Sequence, residues 1–454
     1  MNNHDITIDN LKHGETLDYS LVICKGHIEH APNLKCESLF QIFYKINHDS
    51  TLRKISINEE TYVFKFIIDL QLGYNTLELF YCCVSRKISL QYKECNRELC
   101  VLPLYIICKG HDGRFQAPEH EINTPESACN RITTGCKLVQ SIFAEKLYES
   151  GFERKTFQLE STNCIIFHSK LHYARVNQMG QLELWYYFAR EIMSSDIASN
   201  NKKYLAFLSC TKYDGDKYLE NIHEHSEIVK LTQGYVAFGG DGLALLGTAC
   251  LYTWPESVLD IKNRFEDDCL VDRARFMDDS CFRGTLGGCF ATTLGAALHE
   301  LCHTFGLGHT EKGIMGRGFD NIQNEFLTDQ NNCDINIKRN LQISYIKNNY
   351  ESTDNIYWTE NCLMFLFYHK WFSNEISKKK FMLTYDADNK IIKSTLGLRV
   401  IEIRRKEDEM VLQYWVFKNK VLKYSFQIND DIKNLDDTVL VIEDNDGNIL
   451  KQDL

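Results

Sequence analysis

The stretch "LGAALHELCHTFGLGHTEKGIMGRG", Leu294 to Gly318, decides how the rest of the chain is read. His299 and His303 are four residues apart, so a helix puts both imidazoles on one face, a turn from each other. Phe290, Leu294, Leu298, Leu301 and Phe305 recur at helical spacing and predict a buried stripe on that helix. Gly306 follows three residues after His303. A glycine there can take a positive φ, stop the helix and turn the chain sharply. Leu307 and Gly308 then lead to His309, completing the string H-E-x-x-H-x-x-G-x-x-H.

That spacing offers three neutral nitrogen donors to one ion and leaves a fourth position open, as a catalytic zinc requires. Glu300, directly after the first histidine, is placed to act as base toward a water in the open position. A structural zinc would close its shell with a fourth protein ligand. Cys302 is nearby, but it does not share the direction of His299 and His303 on the helix, and it reads as a packed thiol. His223 and His225 in "NIHEHSE" read as surface or turn residues, and His168 and His172 lie on a strand-like run. Tyr345, Tyr368 and His369, further downstream, read as structural.

The 454 residues suffice for several domains, and 44% hydrophobic with 25% charged residues is ordinary globular composition. A net charge of -11 argues against nucleic acid or an anionic membrane surface as the main partner. No run approaches the eighteen or more apolar residues of a membrane span. The N-terminal sequence lacks a basic region followed by an apolar stretch. The expectation is a cytoplasmic protein. Eighteen cysteines include no CxxC pair, so a cysteine zinc ribbon is not expected and the thiols read as reduced and mostly buried.

Outward from the motif, residues 1–100 show short alternating runs such as "TYVFKFIIDL" and "NTLELFYCCV", which predict a sandwich-like β domain. From 101 to 384 strands alternate with helices. "CVLPLYIICKG" reads as a buried strand, and the segment after it as a helix from Pro125 that stops near Gly151. "ELWYYFAREIM" reads as a helix between the strands "NCIIFHS" and "KYLAFLSCTKY". The glycine-broken "GYVAFGGDGLALLGTACLYTWPES" reads as an edge strand with bulges. Residues 385–454 again read as β-rich.

The histidine string, with Met315 in "GIMG", resembles the metzincin clan of zinc peptidases, in which a methionine turn lies beneath the metal. Thr310 after the third histidine sets the chain apart from the secreted astacin, reprolysin, serralysin and matrixin groups. "GGDGLALLGTACLYTWPES", "RGTLGGCFATTLGAALHELCHTFGLGHTEKGIMGRGFD" and "NCLMFLFYHKWF" resemble an intracellular eukaryotic zinc metallopeptidase family known from yeast. The resemblance implies an α+β fold. Its centre would be a zincin-type domain, a twisted mixed sheet with an active-site helix, flanked by β-rich sandwich-like domains. It implies one catalytic Zn2+ on His299, His303 and His309, Glu300 as the base, and Gly306 and Met315 as structural neighbours. It also implies an edge strand around Gly239, Gly240, Gly242 and Leu243 that pairs with an extended peptide or protein substrate. Two rival readings are a non-catalytic zinc-binding scaffold and a zinc hydrolase of another amide. Oligomeric state is not readable.

Overall fold

The computed structural model describes residues 4–30, 41–82, 84–160, 163–220, 222, 224–328, 356–373, 380–428 and 437–454. They form a mixed α+β protein of several sheets and helices. Its contacts divide the chain into two compact units. One comprises Met1–Asn96, Gln140–Ile142 and Ile322–Asn355; the other comprises Arg97–Val139, Phe143–Asn321 and Ile356–Leu454.

Between residues 4 and 96 the described regular structure is all strand. A three-stranded sheet joins His4–Ile8, Leu21–His30 and Val63–Asp69. A five-stranded sheet runs Glu15–Leu17, Val84–Tyr92, Gly73–Tyr81, Gln41–Ile46, Arg53–Ser56. Burial alternates along these strands: Phe64, Phe66 and Ile68 point inward on one, Leu77, Leu79 and Tyr81 on another. Period-two patterning of this kind is what a half-buried strand requires.

The second unit is built on a six-stranded sheet. Cys100–Lys109, Lys202–Leu208 and Leu243–Gly247 lie side by side and parallel. Parallel strands are covered on both faces, which is why Cys100–Lys109 and Lys202–Leu208 are nearly continuous apolar runs. Ala237–Gly240 is added antiparallel at one edge. Helix Gln181–Met193 covers one face, with Leu184, Trp185, Phe188 and Ile192 in one core with Leu104, Ala206 and Leu245. On the other face Phe207 meets Trp254 at 5.5 Å between rings, and Trp254 meets Phe290 at 6.0 Å. The Trp254 indole N–H also donates to Thr293 Oγ1 at 2.9 Å. Phe290 and Thr293 belong to helix Leu286–Thr304, so the sheet's second face carries the histidine motif.

Local chemistry sets the helix ends. Thr124 caps helix Pro125–Glu149 by accepting from the Ser127 N–H, Pro125 fills its first position, and Gly151 follows it at φ +85°. Thr285 caps Leu286–Thr304 by accepting from the Gly288 N–H. The segment Gly234 to Ser257 departs from the single bulged edge strand expected of it. It is a hairpin, Ala237–Gly240 and Leu243–Gly247, joined by Asp241 and Gly242. Asp241 takes φ +42°, the positive φ that such a tight two-residue connection demands.

Past residue 380 the chain forms a second six-stranded sheet in the same unit. Its long central strand, Ile391–Arg405, pairs with Leu383–Asp386, Val411–Val416, Lys423–Gln427 and Thr438–Asp444. Ile392, Leu398, Ile401, Ile403, Leu440 and Ile442 make its core. Among the described residues no helix is long and apolar enough to cross a membrane.

Candidate metal centre

Helix Leu286–Thr304 is anchored by its apolar side. Phe290, Leu294, Leu298, Leu301 and Phe305 are all fully buried, each worth roughly 1.5–3 kcal/mol of transfer free energy. That stripe fixes the helix rotation, so His299, Glu300 and His303 face away from it. The helix ends in a Schellman turn: Gly306 N–H donates to His303 O at 2.9 Å and Leu307 N–H to Cys302 O at 3.2 Å. Gly306 sits at φ +87°. The turn sends the chain back past the helix end and delivers His309.

The three histidines converge. His303 Nε2 lies 3.1 Å from His299 Nε2 and 3.1 Å from His309 Nε2. Each ring's other nitrogen meets a backbone carbonyl: His299 Nδ1 with Ile314 O at 2.7 Å, His303 Nδ1 with Leu307 O at 2.9 Å, His309 Nδ1 with Asp408 O at 2.5 Å. A carbonyl only accepts, so every Nδ1 carries the proton and every Nε2 presents a lone pair. Three lone pairs facing one another repel unless a cation lies among them. A tetrahedral zinc with nitrogen ligands at about 2.0–2.1 Å would hold them roughly 3.3 Å apart. The residues therefore fit a metal ion, and these three histidines form a group able to hold one.

The electrostatics agree. Burial pushes the imidazolium form of His299 down to a pKa of about 3 and that of His303 to about 4, with the neighbouring histidines adding to the effect. Both rings are neutral at pH 7, as ligands must be. Burial raises the Glu300 carboxyl to about 7, and a hydrogen bond from the Gly239 backbone N–H opposes the rise. A carboxyl in that range can take up and release a proton near neutral pH.

The other predicted site residues fall into place around this group. Met315 is fully buried, and its carbonyl accepts from the Thr310 N–H at 3.1 Å. Gly239 and Gly240 lie on the edge strand, paired with Ala244 and Leu243, and Gly242 is in the hairpin turn. A Cβ on Gly239 would stand 2.0 Å from the Glu300 carbonyl oxygen, so strand and helix touch backbone to backbone. Leu243 is on the inner strand with its side chain in the core, and its carbonyl accepts from the Trp185 indole N–H at 2.8 Å. Cys302 is buried, as a packed thiol should be.

Tyr368 lies under the Arg399 guanidinium at 4.3 Å, and buried His369 caps the Trp371 N–H. Tyr345 and His223 lie outside the described residues. Sequence reasoning gave no part to Asp408, whose contact is made by its backbone, nor to a chain of polar groups that includes Tyr235. In that chain His225 Nδ1 pairs with Asp279 at 3.3 Å and its Nε2 meets the Tyr235 hydroxyl at 3.4 Å. Tyr235 is within electrostatic reach of Glu300.

Three histidines able to hold one metal ion, beside a glutamate on a helix packed against a mixed sheet, are the arrangement of a metal-binding protein. The comparisons narrow the class. Residues 5–398 match the family described as "Putative peptidase family", and the chain belongs to it. It is 26% identical over 258 residues to a protein of Saccharomyces cerevisiae described as a putative zinc metalloproteinase, covering 49% of this chain and 36% of that one. A second protein so described, from Schizosaccharomyces pombe, is 24% identical over 360 residues, covering 72% and 55%. The chain thus spans between about a third and just over half the length of these relatives. Among solved structures, OgpA from Akkermansia muciniphila aligns at a TM-score of 0.39 and 14% identity over 79% of this chain and 93% of that one, a likeness too distant to carry an argument.

Proposed function

We propose that the chain is a zinc-dependent endopeptidase of the metzincin type, with Leu286–Thr304 as its active-site helix. The observation that carries this reading is the convergence of three Nε2 lone pairs while all three Nδ1 protons are committed to carbonyls.

His299, His303 and His309 would hold one zinc ion. When bound, zinc supplies Lewis acidity, which acidifies a water and polarises a carbonyl. The rest of the work belongs to the chain. Glu300, next to His299, takes the proton of the attacking water and passes it to the leaving amine. The Gly239 N–H holds the charged Glu300 carboxylate in place before the first transfer and again after the second. The edge strand Ala237–Gly240 has one side paired with Leu243–Gly247. Its other side offers backbone donors and acceptors to an extended peptide, and this favours a peptide or protein substrate over a compact amide. Gly240 and Gly242 keep that edge low, since a Cβ on Gly242 would meet nothing and one on Gly240 only ring carbons at 3.5 Å or more. Leu243 contributes through its backbone, as the inner partner of Gly240.

The test is the Glu300→Ala chain beside the wild type, assayed for metal content and for hydrolysis of a broad peptide library. The expected outcome is about one zinc per chain in both and a loss of about a thousandfold in turnover in the variant. Equal hydrolysis by the two chains overturns the role of Glu300. Zinc bound with no turnover on any peptide by wild type identifies a binding scaffold instead.

A further inference from the structure

His309 is the one histidine of the three that does not lie on the motif helix, and its surroundings come from the far end of the chain. The turn between strands Ile391–Arg405 and Val411–Val416 runs beside it. His309 N–H donates to Glu409 O at 3.0 Å, and Val411 N–H donates to His309 O at 2.9 Å. His309 thereby pairs with Met410 as an isolated parallel bridge. The His309 ring donates from Nδ1 to Asp408 O.

The approach is close. A Cβ on Gly308 would stand 2.5 Å from the Glu409 carbonyl oxygen. The turn itself is tightly specified. Arg405 holds the Asp408 carboxylate with two bonds, Nε to Oδ1 at 2.8 Å and Nη2 to Oδ2 at 2.7 Å. The same Oδ1 accepts from the Met410 N–H at 3.1 Å. Glu409 takes φ +52°, a conformation costly for a residue with a side chain, and its carboxylate reaches buried Arg404 at 3.2 Å.

We propose that the Arg405–Asp408 turn is a positioning element of the metal centre: it aims the Asp408 carbonyl at His309 Nδ1, and so fixes the tautomer and ring orientation that present Nε2 to the ion. The inference rests on the zinc reading above. Ligating histidines depend on such partners at their second nitrogen, and losing one weakens metal binding by about 10- to 100-fold. His299 and His303 take their partners from Ile314 and Leu307, close by in sequence. His309 takes its partner 99 residues away, from a sheet that the histidine string does not predict. Arg405 and Asp408 are also both exposed. Exposed ion pairs add little to global stability, so their removal separates a positioning role from a merely structural one.

The experiment uses the full chain. Zinc affinity is measured by competition with a chromophoric chelator, and site geometry by the visible spectrum of the cobalt(II)-loaded protein. The variants are Asp408→Ala, Arg405→Ala and Asp408→Asn, with Lys406→Ala as control, since Lys406 in the same turn pairs outward with Asp453. Asp408→Ala and Arg405→Ala should bind zinc about 10- to 100-fold more weakly with an altered cobalt spectrum. Their metal-free melting temperature should not change. Asp408→Asn keeps an oxygen for the Met410 N–H and should recover part of the loss; Lys406→Ala should match wild type. Wild-type affinity and spectrum in both alanine variants overturn the inference while leaving the zinc reading standing. A melting-temperature loss in the metal-free chain that accounts for the weaker binding overturns it in favour of a structural role. A wild-type chain that binds no zinc overturns the zinc reading, and this inference with it.

Discussion

Gly239 and Gly306 show how differently two glycines can matter near one site. At Gly239 the backbone conformation is ordinary, but a Cβ would meet the Glu300 main chain at 2.0–2.9 Å. Neither backbone can give way cheaply. Gly239→Ala should therefore cost about 1–3 kcal/mol, read by urea denaturation, and should also lower hydrolysis by displacing the N–H that holds Glu300. At Gly306 the space is ample, since the nearest atom is a Phe365 ring carbon at 3.6 Å. The penalty there comes from φ +87° alone. Gly306→Ala should cost about 1–2 kcal/mol. Gly306→Asn should cost less than the alanine, because asparagine tolerates the left-handed region. Equal losses for Ala and Asn would show that crowding, not dihedral strain, dominates at that position.

At the scale of elements, the edge hairpin carries a buried charge. Lys203, on the neighbouring parallel strand, sends its ammonium to the Asp241 carbonyl in the hairpin turn at 2.8 Å, with the Trp371 ring 4.8 Å away. Burial depresses its pKa to about 7, and the positive charge of Lys370 adds to this. The folded chain thus gives up this proton near pH 7, while the unfolded chain keeps it to about 10.4. Between those values the unfolded state binds more protons, so stability rises with pH, by up to about 1.4 kcal/mol per unit from this one group. Below pH 7 the full burial penalty applies. Lys203→Met should flatten that rise, measured as the difference in denaturation free energy between pH 7 and 9. A slope unchanged by the substitution would assign the pH dependence to other groups.

The elements also show what the sequence could and could not reveal. The motif helix, its buried stripe, its glycine stop and the buried strand at 100–109 were legible because periodicity and capping are local properties. The hairpin at 237–247 was not resolved, because "GGDG" fits a bulge and a tight turn equally and pairing decides between them. The acceptors of the three Nδ1 protons were invisible for a different reason. Each is a backbone carbonyl, which every residue carries, so Ile314, Leu307 and Asp408 leave no mark of side-chain type. Tyr235 and Asp279 were missed, and His225 was read as a surface or turn residue, because their mutual contacts depend on three separate segments meeting.

For the whole molecule, a metal at this site should act as a ligand of the folded state. Zinc held at about a thousand times its dissociation constant should stabilise the chain by about 4 kcal/mol, seen as a rise in melting temperature that a chelator reverses. His299→Ala should abolish the rise, since it removes the most buried donor. A rise that survives His299→Ala would place the ion elsewhere, for instance at half-buried Asp267 with exposed Asp268 and Cys269.

The distance in sequence between His309 and Asp408 also has a meaning in time. A ribosome adds about 5–20 residues per second, so the 99 residues that separate them take roughly five to twenty seconds to make. Through that interval the nascent chain owns all three imidazoles but not the carbonyl that meets the third. On the zinc reading, full grip on the metal would require synthesis past Asp408, and an ion captured earlier would be held without that carbonyl.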